Sequence, residues 1–213
     1  MRKAPRQERS RATVDVIVEA ATRVLARRGW ARFTTNEIAA VAGVSVGSLY
    51  QYFPDKLAIA EAIRQRHLDE VLAALSAADD ESGALPLGER VGRFVDGVIA
   101  AHSIDQALHR VLVDEVPLAA RSTCPEFEAE YQRRYRVLVA ASTGGSAASD
   151  CADCADGADS DDSDDTAARV LSAAVEGAVH AAARRGDLAT PALRTELVRL
   201  VLAYLRDRQQ ARE

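Results

Sequence analysis

The chain has 213 residues, of which 48% are hydrophobic and 28% are charged, with a formal net charge of -5. Only 5% of the residues are aromatic, and 12 glycines and 6 prolines are a poor fit to sandwiches, barrels and collagen-like folds. We therefore expect an all-α protein. Its apolar runs are too short to cross a bilayer and its basic start lacks the apolar stretch of a signal peptide, which favours a cytoplasmic protein with no membrane partner.

Charge is divided unevenly along the chain. Residues 1–70 carry 12 Lys and Arg against 8 Asp and Glu, whereas the remainder carries 15 against 24. Much of the acidity lies in Asp150–Asp165, with eight Asp and no basic residue. Such a tract cannot offset the entropy of ordering itself, so residues 142–165 are predicted to form a disordered loop. The negative net charge of the whole chain therefore does not argue against nucleic-acid binding by its amino-terminal end.

The first predicted helix follows a basic arm that ends at Arg11. From Val14 to Leu25 the apolar residues recur every three to four positions, which places them on one helical face. Gly29 is suited to end this helix because glycine readily adopts the left-handed conformation found after helix ends.

Two more short helices follow. Thr34 and Glu37 fit a capping box at the start of the second helix. Gly43 supplies a tight turn, and Ser45 is the N-cap candidate for a third helix over about residues 46–53. Two short helices joined by a tight glycine turn predict a helix-turn-helix.

Six further helices bring the prediction to about nine. A connector helix begins at Pro54 or Asp55 and continues to about Leu75. The remaining helices are predicted over Pro86–Ser103, Asp105–Val116, Pro125–Ala141, Thr166–Arg185 and from Pro191 onwards. We divide the chain into a domain of residues 1–54 and a domain of residues 55–213.

Helical geometry separates two faces of the third helix. At roughly 100° per residue, Leu49 and Phe53 turn together towards a core. Gln51 points the opposite way, with Gly47 and Ser48 beside it, so the outer face is small, polar and uncharged. Because glycine in a helix is costly, a close approach of the protein backbone to DNA explains Gly47 better than packing does.

Two phenols flank this outer face. Tyr50 and Tyr52 are predicted on either side of it, where their hydroxyls can reach phosphates on both walls of a major groove. Lys56 adds a further phosphate contact. Gln51 is either a solvated residue or a bidentate reader of adenine.

The same region resembles the amino-terminal domain of the tetracycline-repressor (TetR) family. The residues that carry the resemblance are Ile17, Ala20, Ala21, Leu25, Gly29, Thr34, Thr35, Ile38, Ala39, Ala42, Gly43, Val44, Ser45, Gly47, Leu49, Tyr50, Tyr52, Phe53, Lys56 and Leu57. The resemblance implies an all-helical homodimer, usually a repressor, that binds a palindromic double-stranded DNA operator. It also implies a carboxy-terminal domain that binds a small-molecule effector and dimerises through its last two helices.

DNA-contact roles follow from matching positions. The residues that inherit them are Thr35, Ser45, Gly47, Tyr50, Tyr52 and Lys56. Val46 departs from the family pattern, in which many members have Lys or another polar residue. This removes a phosphate contact and could substitute an apolar contact with a thymine methyl.

Effector and dimer contacts are predicted in the second domain. Phe127, Tyr131 and Tyr135 form an aromatic stripe at four-residue spacing, which is typical either of a core or of a pocket wall. The pocket candidates are Phe94, His102, His109, Phe127, Tyr131 and Tyr135, although each histidine is also compatible with a core or surface role. The candidates for the dimer interface are Val170, Ala174, Ala178, Leu197, Val201 and Tyr204.

Three alternatives remain. Cys151 and Cys154 form a single CxxC pair, a weak signal for a redox or metal sensor. A protein partner could carry the regulatory signal instead of a small molecule. A helical enzyme or scaffold with an incidental helix-turn-helix is disfavoured, because no nucleophile–base pair or cluster of metal ligands is evident. We predict no cofactor.

Overall fold

A computed structural model of the protein describes residues 4–78, 85–117, 124–142 and 158–211. Within these ranges the chain is helical and has no strand, which confirms the all-α prediction. The helices are α1 (Ala4–Arg28), α2 (Thr35–Ala42), α3 (Val46–Tyr50), α4 (Lys56–Ala77), α5 (Leu87–Ser103), α6 (Gln106–Asp114), α7 (Pro125–Ser142), α8 (Ala158–Arg185) and α9 (Pro191–Gln210), with a short 3-10 helix at Trp30–Arg32. None of the described helices combines the length and the hydropathy that a membrane span requires.

The chain divides into two compact units. The first comprises residues 1–69 and 105–123, and the second comprises residues 70–104 and 124–213. α4 contributes its first part to the first unit and the remainder to the second. The first unit thus contains α6 in addition to the helices predicted for residues 1–54.

In the first unit, α1 packs against α2 and α6. Its buried face includes Ile17, Ala21 and Leu25, as predicted. Gly29 ends α1 with a φ of 69°, and its amide donates to the Leu25 carbonyl at 2.9 Å. The helix already begins at Ala4, so most of the predicted basic arm is its first part, since Arg, Gln and Glu are good helix formers.

In the second unit, α7 packs along α8 and α5 packs along α9. The core cluster contains aliphatic residues from all four helices together with Tyr131 and Tyr135. On the surface, Arg194 of α9 forms a two-pronged ion pair with Asp96 of α5, at 2.6 and 2.8 Å. The predicted start of α9 is confirmed, because the Thr190 hydroxyl accepts the Leu193 amide at 3.4 Å and Pro191 is the first helical residue.

α8 starts earlier than predicted. Residues 158–165 of the Asp-rich tract are helical, which corrects the prediction of a loop that extends to residue 165. Two of its carboxylates are paired: Asp164 with Arg208 and Asp165 with Arg136, each at 2.8 Å. Acidic side chains near a helix N-terminus also interact favourably with the helix dipole. Residues 143–157, with Cys151 and Cys154, lie outside the described residues.

Candidate nucleic-acid interface

The helix-turn-helix is built by local caps. The Thr34 hydroxyl accepts the Glu37 amide at 3.3 Å, and the Ser45 hydroxyl accepts the Ser48 amide at 3.0 Å, so both predicted N-caps are confirmed. Between them, Gly43 adopts the left-handed conformation with φ 69° and ψ 26°. The Glu37 carboxylate does not complete a capping box, because it pairs instead with Arg28 at 3.2 Å.

α3 presents a core face and an outer face. Leu49 is fully buried, and Phe53 just beyond the helix is also buried, as predicted. Gly47 and Gln51 are exposed, while Ser48 is half-buried and its hydroxyl lies 2.8 Å from that of Ser45. Residues 38–54 include no charged residue, so this surface carries no carboxylate that would repel phosphate.

The helical extent of α3 is shorter than predicted. α3 ends at Tyr50, Gln51 is its C-cap, and Tyr52 follows in a turn. The symmetric placement of two phenols by helical geometry therefore fails: Tyr50 is 50% exposed, whereas Tyr52 is half-buried and packs against the core of the first unit. Val46 is also half-buried against that core.

Tyr50 is connected to the start of α2. Its hydroxyl lies 3.2 Å from the Thr35 hydroxyl, so the two predicted DNA-contact residues form one pair of hydroxyls on the exposed side. A hydroxyl both donates and accepts, which leaves this pair able to donate to a phosphate oxygen. The structure thus brings Thr35 and Tyr50 together across the helix-turn-helix.

Lys56 is the first residue of α4. The Asp55 carboxylate accepts the Ala58 amide at 2.9 Å and caps this helix. The Lys56 ammonium lies 4.2 Å from the centre of the Trp30 ring, a contact that the sequence did not predict. Trp30 follows the Gly29 turn, but no local pattern signals a partner 26 residues away.

The aromatic pocket candidates form a packed group in the second unit. The rings of Phe94 and Tyr135 meet edge to face with centres 4.7 Å apart, and those of Phe127 and Tyr131 stack at 5.7 Å. The hydroxyls of Tyr131 and Tyr135 are 3.2 Å apart. Phe94, Tyr131 and Tyr135 belong to the core cluster, with Phe127 packed at its edge.

A carboxyl that the sequence did not single out joins this group. Glu176 of α8 interacts with Tyr131, and burial raises the pKa of Glu176 above its ordinary value. Burial also raises the pKa of both phenols. The group therefore contains a half-buried carboxyl beside hydroxyls that stay protonated at neutral pH.

The two histidine candidates are separated by unit. His102 belongs to the second unit, where its Nδ1 donates to the Val98 carbonyl at 2.8 Å and its ring lies 5.1 Å from that of His180. His109 belongs to the first unit, and its Nδ1 lies 3.0 Å from Nε2 of His67. His109 therefore does not belong to the aromatic group around Tyr131.

The predicted dimer contacts differ in exposure. Val170 is 53% exposed, Ala174 is exposed, and Ala178 and Tyr204 are half-buried. Leu197 and Val201 are 2% and 0% exposed, because they pack in the core of their own chain. For Leu197 and Val201 the prediction is therefore revised. They pack α9 into the core of the second unit and have almost no exposed surface for a contact with a second subunit.

Two family models match the chain. The model described as bacterial regulatory proteins, tetR family, matches residues 17–63. The model described as a tetracyclin repressor-like C-terminal domain matches residues 86–205. Together they cover both units.

Solved structures share the fold. A TetR-like transcriptional regulator from Rhodococcus sp. RHA1 is 21% identical, with a TM-score of 0.65 over 89% of this chain and 93% of its own. A TetR transcription regulator from Haloarcula marismortui is 15% identical, with a TM-score of 0.66 over 92% and 97%. The fatty acid degradation regulator FadR from Bacillus halodurans is 18% identical, with a TM-score of 0.59 over 88% and 97%.

Proposed function

Because the chain belongs to the TetR family of transcriptional regulators, we propose that it is a cytoplasmic, homodimeric repressor that binds a palindromic operator and is released by a small molecule. Its DNA contacts are assigned to Thr35, Ser45, Val46, Gly47, Ser48, Tyr50, Gln51, Tyr52 and Lys56. Among these, Tyr52 and Val46 contribute less, because both are half-buried against the core.

One observation carries this proposal: the outer side of α3 is exposed, polar and uncharged, with positive charge close by in sequence. Gly47 and Gln51 can approach base edges, while the hydroxyls of Tyr50 and Thr35 can donate to phosphates. Lys56 supplies a positive charge for a phosphate. A surface of this kind fits the major groove of a DNA duplex, whose walls are lined by phosphates.

The regulatory step is a change in the spacing of two subunits. A dimer would hold two copies of α3 about 34 to 36 Å apart, one turn of B-DNA. A small molecule releases the operator only if it binds the incorrectly spaced state more tightly. The group of Phe94, Tyr131, Tyr135 and Glu176 is the proposed effector site, because it combines aromatic surface with buried hydroxyls and a carboxyl.

The test is fluorescence anisotropy with a labelled duplex from the region upstream of the gene. We expect tight, sequence-selective and salt-sensitive binding by the full chain, and a loss of about a hundredfold when Tyr50→Phe is combined with Lys56→Ala, since two charge-assisted contacts are removed. Arg93→Ala, which removes one exposed positive charge from α5, is the matched control. Unchanged binding by the double variant would refute the assigned interface.

A further inference from the structure

Lys56 rests on an aromatic face. Its ammonium is 4.2 Å from the centre of the Trp30 ring, and both side chains are half-buried. In the described part of the chain no carboxylate is paired with this ammonium. The contact orders a long, flexible side chain but leaves its charge available to an anion.

Trp30 is in turn held from α6. Its amide donates to Oε2 of Glu115 at 2.9 Å, which places a carboxylate at the N-terminus of the short 3-10 helix. Its ring also stacks on Phe33, which is fully buried. The hydrogen bond from the Trp30 amide to Glu115 and the stacking of the Trp30 ring on Phe33 together fix the orientation of the Trp30 ring.

Gly29 makes room for this arrangement. A Cβ at Gly29 would lie 2.6 Å from Oε2 of Glu115, and the φ of 69° disfavours any other residue. The positive φ is the stronger reason for glycine, because the carboxylate end of the flexible Glu115 side chain could shift away from a Cβ. The hydrogen bond beside Gly29, from Trp30 to Glu115, joins two residues that are 85 positions apart in sequence.

We propose that Trp30 and Glu115 are positioning residues for the contact between Lys56 and a DNA phosphate. The inference rests on the proposed function. Trp30 restricts the Lys56 side chain before DNA arrives, so less conformational entropy is lost on binding. Glu115 fixes Trp30, which makes the phosphate contact depend on where the end of α6 lies.

The experiment measures binding of a labelled upstream duplex over a series of KCl concentrations. Lys56→Ala should reduce the slope of log K against log salt by about one per subunit. Trp30→Leu should weaken binding roughly three- to tenfold, and adding it to Lys56→Ala should cause no further loss. Trp30→Phe keeps a ring and should restore most of the affinity.

Glu115→Ala tests the second step without a change in the core. It should weaken binding as Trp30→Leu does, again only when Lys56 is present, while Glu115→Gln keeps an acceptor and should be milder. Trp30 is the only tryptophan of the chain, so its emission in the absence of DNA should change in Lys56→Ala and in Glu115→Ala. Both effects follow directly from the two contacts.

The outcomes separate this inference from the proposed function. If the wild type binds but Trp30→Leu and Glu115→Ala bind equally well, the positioning role is refuted and the proposed function stands. Fully additive losses for Trp30→Leu and Lys56→Ala would refute it as well. If the folded wild type binds no duplex at any salt concentration, the proposed function itself fails.

Discussion

A Cβ added at Gly47 would lie 3.8 Å from Oγ of Ser45, and among the described residues no other atom lies within 4 Å of it apart from its chain neighbours and the backbone of its own helix. That distance is an ordinary van der Waals contact, so the free protein has room for a side chain at this position. Glycine within a helix is less favourable than alanine by roughly 0.5 to 1 kcal/mol. Packing of the isolated chain therefore gives no reason for glycine here.

Gly47→Ala should accordingly separate stability from DNA binding. We expect the free energy of unfolding to rise by about 0.5 to 1 kcal/mol in urea titrations. We expect affinity for the upstream duplex to fall at least about tenfold, because the added methyl group occupies the space of a close-approaching groove. Gly88→Ala, at an exposed and open position of α5, is the control that should bind normally. Full affinity of Gly47→Ala would contradict the close approach.

Tyr50→Phe should weaken duplex binding by about tenfold and leave thermal stability almost unchanged. The hydroxyl pair with Thr35 is exposed, so water replaces it in the free protein, whereas a lost bond to a charged phosphate has no such replacement. Anisotropy titrations and thermal melts on the same samples check both parts. A large drop in melting temperature with unchanged binding would assign the pair a structural role instead.

The local parts of the fold could be predicted from the sequence because their causes are local. Thr34, Ser45 and Thr190 cap helices through amides three residues away, and Gly29 and Gly43 adopt the left-handed conformation that their positions require. The orientation of Leu49 towards the core follows from the helical repeat. Each of these features depends on a few neighbouring residues.

Other parts depend on contacts that sequence spacing does not reveal. α3 stops at Tyr50, so a helical projection drawn to Phe53 placed Tyr52 incorrectly. The early start of α8 is accompanied by ion pairs of Asp165 with Arg136 and of Asp164 with Arg208, and both arginines are distant from α8's first turns in sequence. Exposed and core residues on α9 follow the same apolar repeat, so the sequence alone does not distinguish Leu197 in the core from an outward-facing residue.

Val170→Glu should shift the proposed dimer to a monomer. Val170 is 53% exposed on α8 and Leu200 is 42% exposed on α9, so both helices carry a large apolar side chain that the single chain leaves uncovered. A buried carboxylate in a dimer interface is costly without a partner. Sedimentation velocity should show the smaller species, and operator affinity should fall by more than about tenfold because the second half-site is lost. Val137→Glu, at a 39% exposed valine of α7, should remain dimeric.

Glu176→Gln should change how stability depends on pH. Burial raises the folded-state pKa of Glu176 above its ordinary value of 4.5, so the folded chain holds this proton more tightly than the unfolded chain. The resulting stabilisation is present below pH 4.5 and is lost as the pH rises through the raised pKa. The wild type should therefore lose stability relative to Glu176→Gln as the pH rises from 4.5 through the raised pKa, as measured in thermal melts. Glu126→Gln, at an exposed carboxyl of α7, is the control. Parallel pH profiles for wild type and Glu176→Gln would contradict the burial of this carboxyl.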